Sequence, residues 1–190
     1  QLERVGATHP RHGLCAEICR HYLDSDDPFL AWQHAGTALA ELQREFRSIE
    51  LVELCGRLLE MRETSGAPAS ADELDLMIMR GQCLDALGRP ADKIVQFRQA
   101  LWRARELDQP ASAAYRLRIC TWLAWHYTDR QLCAPAERWI ERAELILAGP
   151  DGTALPSQFV RRAHANLWGQ RGGVLYWRGA LQAAYDAHNK

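Results

Sequence analysis

The stretch Trp168-Gly169-Gln170-Arg171-Gly172-Gly173-Val174-Leu175-Tyr176-Trp177-Arg178-Gly179 decides how this chain is read. Its apolar residues recur at helical spacing, and Gly179 turns it into a second helical stretch from Ala180. The opening pattern, Trp168-x-x-x-Gly172, also stands far upstream as Trp32-x-x-x-Gly36. Between the two lie two more helix pairs of the same shape, with the tryptophan replaced and the small residue kept. A supersecondary unit that recurs at a fixed period governs the whole fold.

Aligning the small residue of each first helix, Gly36, Gly81, Ala124 and Gly172, gives spacings of 45, 43 and 48 residues. These are the expected notches where the two helices of a hairpin touch. Three residues on comes a large apolar side chain: Leu39, Leu84, Tyr127 and Leu175. The second helices carry Ala100, Ala136, Ala143 and Ala184 as small positions, with Phe97 and Ile140 as bulky partners. A hairpin cannot bury its apolar face alone, so neighbours are expected to stack into one continuous core.

The rest of the chain agrees. Val and Ile are sparse, Ala, Leu, Arg, Glu and Gln abundant, and no stretch alternates with period two. That predicts an all-α fold without sheet. Helices are expected over residues 11–23, 28–44, 46–62, 71–87, 90–107, 112–127, 134–147, 157–178 and 180–190, with Pro28 in a first turn. Breaks fall near Pro68, Pro110 and Pro150, and residues 149–153 read as the longest loop. The hairpins then cover 28–64, 71–108, 112–148 and 157–190 within one repeat domain. The chain begins at Gln1 and its last helix runs into Lys190, which reads as a piece of a longer protein.

These residues resemble the tetratricopeptide repeat, whose pattern is Trp-x2-Leu-Gly-x2-Tyr in the first helix, then Ala, an aromatic and Ala in the second. The matching positions are Trp32, Gly36 and Leu39; Gly81, Leu84, Gly88, Phe97, Ala100, Leu101 and Pro110; Leu123, Ala124, Tyr127, Ala136, Ile140 and Ala143; and Trp168, Gly172, Leu175, Gly179 and Ala184. The likeness spans about residues 28–190. It implies a right-handed α-α superhelix, or solenoid, of about four to five hairpins. The repeats are longer than the usual 34 residues. In this they are similar to the sensor arrays of bacterial signal-transduction ATPases and transcription regulators.

What the resemblance implies is a protein- or peptide-binding module, the interaction region of a larger regulatory protein, and not an enzyme. A small effector is the alternative ligand, self-association a third use, and a helical metal protein or enzyme the remaining alternative. First helices would line a concave groove. The groove positions are Gln33, Thr37 and Ala40; Ile78, Gln82 and Asp85; Arg118, Thr121, Trp125 and Thr128; and Asn166, Gly173, Tyr176 and Trp177. Of these, Gln33, Thr37, Gln82, Arg118, Thr121, Trp125, Asn166 and Tyr176 are the candidate binding residues, because aromatics and Arg anchor binding hot spots.

Other signals are weaker. The 23 basic and 24 acidic residues nearly cancel, so nothing calls for direct nucleic-acid binding. Arg outnumbers Lys by 21 to two, which genome composition explains most simply. No apolar run is long enough to span a membrane. Six spread cysteines without need of staples fit a reducing cytoplasm. His12, Cys15 and Cys19 share one helical face, a spacing that suits zinc. The simpler reading is two core cysteines beside a surface histidine, and no metal or cofactor is assigned. Asp72, Glu73 and Asp75 suit a helix start. No Gly-rich phosphate loop or nucleophile elbow is present.

Overall fold

The turns at Phe46, Gly88, Gln131 and Gly179 share one backbone geometry. Each of these residues has positive φ, at 57°, 71°, 59° and 77° respectively. At Phe46 the amide donates to the Gln43 carbonyl, and the next amide, Arg47, donates to Leu42. The same pair of bonds recurs at Gly88 and Arg89, at Gln131 and Leu132, and at Gly179 and Ala180. This is the Schellman closure, which satisfies the last carbonyls of a helix. After each hook the next helix starts two residues later, at Ser48, Pro90, Cys133 and Leu181. The repeat inferred from side chains is thus also a repeat of backbone conformation.

In this computed structural model, residues 14–25 and 27–189 are described. Among them every regular element is helical: α1 (Leu14–Asp24), α2 (Pro28–Arg44), α3 (Ser48–Thr64), α4 (Ala71–Ala86), α5 (Pro90–Arg103) with a 3-10 turn at Ala104–Glu106, α6 (Ala111–Asp129), α7 (Cys133–Ala148), α8 (Pro150–Thr153), α9 (Ser157–Trp177) and α10 (Leu181–His188). None is long and apolar enough to cross a membrane. Two expectations need correction. α3 begins at Ser48 because Phe46 sits in the left-handed region and cannot be helical. Residues 149–153 are not simply a loop: Pro150 at the first helical position and Asp151 in the first turn wind them into α8.

The chain divides into two compact units, residues 1–68 with 75–96 and residues 69–74 with 97–190. In the first, Asp27 caps α2 by accepting the Leu30 amide at 3.1 Å. Tyr22 stacks on His34 with centroids 5.3 Å apart, and the Cys15 amide donates to Glu41 at 3.0 Å. These contacts set α1 antiparallel to α2. Arg20–Glu50 and Asp24–Arg57 ion pairs set α1 parallel to α3. The core joins Ala35, Ala38, Leu39 and Leu42 of α2 to Leu51, Leu54, Cys55 and Leu58 of α3, with Leu76 of α4. Trp32 packs at its edge under the Arg62 guanidinium, 4.7 Å from the ring centre.

In the second unit, Glu137–Arg178 and Glu144–Arg171 ion pairs hold α7 antiparallel to α9. α6 and α9 run the same way: Arg116 pairs with Asp151 just before α9, and Thr128 at the far end meets Gly173. Ala124, Ala136, Ile140 and Ala143 are all buried, as the repeat pattern requires.

The notches are not all alike. Gly172 does touch its partner helix, since a Cβ there would lie 2.8 Å from the His188 ring of α10. Gly81 and Ala124 are buried. Gly36 is exposed and a Cβ there would meet nothing within 4 Å, so the expected notch moves one residue back, to buried Ala35.

All six cysteines are free. Burial pushes the thiols of Cys19, Cys55 and Cys120 up to about 11, 12 and 11 respectively. Each stays protonated in the fold at a pH where the unfolded chain has already lost the proton. Their stabilising contribution is therefore complete below the ordinary thiol pKa near 9 and is lost as pH rises through about 11 to 12. At pH 8 these three are expected to resist iodoacetamide in the native protein and to react readily in urea. Peptide mass spectrometry reads this directly, and equal labelling in both conditions would contradict their placement.

A candidate binding groove between two parallel helices

α6 and α9 touch where Gly173 faces Thr128, a Cβ there standing 2.7 Å from the threonine methyl. The preceding turns of the same helices line a groove of about 690 Å³. From α6 it receives Leu117, Arg118, Thr121, Trp122 and Trp125, and from α9 Phe159, Arg162, Ala163, Asn166 and Gln170. The α9 polar residues Arg162, Asn166 and Gln170 stand at i, i+4 and i+8, which puts them on one face.

Leu117 and Ala163 are buried and form the floor. Trp122 and Trp125 stack with centroids 4.9 Å apart and planes 26° from parallel. Trp125 nevertheless stays 45% exposed, so its ring is available to a ligand. The Thr121 hydroxyl is spent on its own helix, donating to the Leu117 carbonyl at 3.0 Å. Arg162 is exposed and makes no ion pair with any described residue. No carboxylate lines the groove. Its chemistry is therefore aromatic surface flanked by guanidinium and amide groups, with no Asp or Glu in the lining.

Four of the expected binding residues, Arg118, Thr121, Trp125 and Asn166, come together here. Tyr176 does not line the groove; it forms an edge-to-face pair with Trp177 at 5.1 Å, beyond the Gly173 contact. Gln33 and Thr37 are exposed on α2, and Gln82 is half-buried on α4, all in the other unit. Three further positions expected to face a groove do not. Ile78 is fully buried. Thr128 is buried with its hydroxyl donating to the Ala124 carbonyl at 2.9 Å. Gly173 is a helix contact.

The sequence reading missed Trp122, Phe159, Arg162 and Gln170. Arg162 and Gln170 lie one turn on either side of Asn166, so extending that residue along its own helix face would have found them.

Among the described residues no three His, Cys, Asp or Glu side chains converge as a metal site. His12 lies outside the described residues. Cys19 is engaged, its thiol donating to the Ala31 carbonyl at 3.3 Å.

What the fold and groove define so far is a class: an all-helical protein of recurring hairpins with an aromatic, cationic groove. Compared with protein-family models, curated proteins and solved structures, the chain has no match in any of the three.

Proposed function

We propose that this chain is a binding module, with its tandem hairpins stacked as a right-handed superhelix and its α6–α9 groove holding a peptide or protein segment. The recurring hook-shaped turns and the resemblance to tetratricopeptide repeats support the architecture. The observation that carries the function is the groove itself, which brings the stacked Trp122 and Trp125 beside Arg118 and Arg162. Exposed aromatics and Arg at the centre of a concavity are the side chains that contribute most to binding. The resemblance to long repeats of bacterial regulators supports reading the module as the sensor or interaction region of a larger regulatory protein. On this reading the chain binds and does not itself catalyse.

A small effector is the second reading. The groove volume of about 690 Å³ lies within the roughly 300–1,000 Å³ of small-molecule sites.

The test is display panning of random dodecapeptides on the purified chain. The expected result is a convergent set of sequences that binds the wild type and binds Trp125→Ala about 30-fold more weakly, the loss of one hot spot. The far-UV circular dichroism should not change, because the ring is half-exposed. No enrichment, or enriched peptides that ignore the substitution, would overturn the peptide reading.

A further inference from the structure

Resting on that reading of the α6–α9 groove, we infer that its partner is an internal acidic segment of a protein: a short extended stretch with a side-chain carboxylate that meets Arg162 while an aromatic or aliphatic side chain lies on the Trp122–Trp125 pair.

Three features of the groove lead there. The first is charge. The chain as a whole carries a net charge of only −1, yet the groove lining contains two arginines and no carboxylate. Arg162 makes no ion pair with any described residue, whereas Arg171 on the same helix holds Glu144. A guanidinium without an internal acid, beside a desolvating aromatic surface, favours a carboxylate that fits its planar fork.

The second is the aromatic platform. Stacked rings present apolar area with little conformational freedom to lose on binding. They attract an apolar side chain, and a carboxylate alone would leave them uncovered.

The third is length. The lining runs from Leu117 to Trp125 on α6 and from Phe159 to Gln170 on α9. At 1.5 Å per helical residue that is a trough of roughly 12–16 Å, the length of about four or five extended residues. Asn166 and Gln170, one turn apart, supply amide groups that can pair with the backbone of such a segment. Because the anions come from side chains along the segment, no free chain terminus is required.

The experiment titrates the intact chain, followed by tryptophan fluorescence and calorimetry, with a hexapeptide capped at both ends that alternates glutamate with phenylalanine and leucine. Three further probes are its glutamine isostere, its lysine counterpart, and phenylsuccinate, a small dicarboxylate bearing one ring. The acidic peptide is expected to bind at least tenfold more tightly than the glutamine isostere, with the preference shrinking as salt is raised. Arg162→Gln should abolish that preference, so that the variant binds the acidic peptide and its isostere equally. Arg161→Gln, exposed on the same helix but outside the lining, should leave both unchanged and so reports any general charge effect.

If the glutamine or lysine peptide binds as well as the acidic one, and Trp125→Ala still weakens all of them, the groove binds peptides but the acidic partner is wrong. If no peptide binds, or binding ignores Trp125→Ala, the groove reading itself fails. Tighter binding of phenylsuccinate than of the hexapeptide would overturn the segment in favour of a small anionic effector.

Discussion

Leu42→Ala is expected to lower the unfolding free energy by about 2–5 kcal/mol. Leu42 is fully buried near the end of α2, inside the cluster that includes Leu39, Leu51, Leu54 and Leu58. Part of the loss is the transfer of the deleted atoms, and the rest is the cavity they leave. The cavity cannot close easily. The Leu42 carbonyl accepts the Arg47 amide, so the residue is tied to the hook that fixes α2 against α3. Leu51, Leu54 and Leu58 come from the facing helix and are held by the same turn. The urea midpoint should fall with the slope unchanged, because the surface exposed on unfolding hardly differs. A loss below about 1 kcal/mol would mean that this cluster is not packed at the density of a protein interior.

Gly152→Ala is expected to cost about 3 kcal/mol, at the upper end of overpacking. A Cβ at Gly152 would overlap the Leu147 backbone carbonyl, where no side-chain rotation relieves the clash. The one-turn α8 would have to lift from the end of α7, disturbing the Arg116–Asp151 pair that links it to α6. Gly36→Ala is the matched control in the opposite direction. There a Cβ meets nothing, so the better helix former should stabilise the chain by up to about 1 kcal/mol. Thermal melts of the two variants should therefore shift in opposite senses. Equal effects would mean that the contacts at Gly152 are misplaced.

The contrast shows what the sequence could reveal. Helical period, proline and glycine fix most elements: α2 was legible to the residue because Asp27 caps it and Pro28 opens it. The hooks at Gly88 and Gly179 were legible because glycine adopts positive φ freely. Those at Phe46 and Gln131 were not, since neither residue type announces the left-handed conformation that the hairpin geometry imposes. Gly36 read as a notch because it sits in the repeat pattern, whereas packing chose its neighbour Ala35.

At the groove, Trp125 and Arg118 stood out by residue type, and Asn166 by its place in the repeat. Arg162, Trp122 and Phe159 depended on which faces of α6 and α9 turn toward each other. Gly173 and Thr128 set that by touching, a contact that residue spacing alone does not encode. Ile78 is apolar and lies in the core, so the groove assignment there placed repeat position above hydrophobicity.

The seven tryptophans allow the central claim to be tested in one spectrum. In a two-dimensional nitrogen–proton correlation spectrum, each indole N–H gives one resonance, assigned by single Trp→Phe substitutions. On titration with the capped acidic hexapeptide, the Trp122 and Trp125 indoles are expected to shift together and saturably, while Trp32, Trp102, Trp139, Trp168 and Trp177 stay in place. Movement confined to Trp102 or Trp177, with the stacked pair unmoved at saturation, would contradict the α6–α9 groove as the binding site.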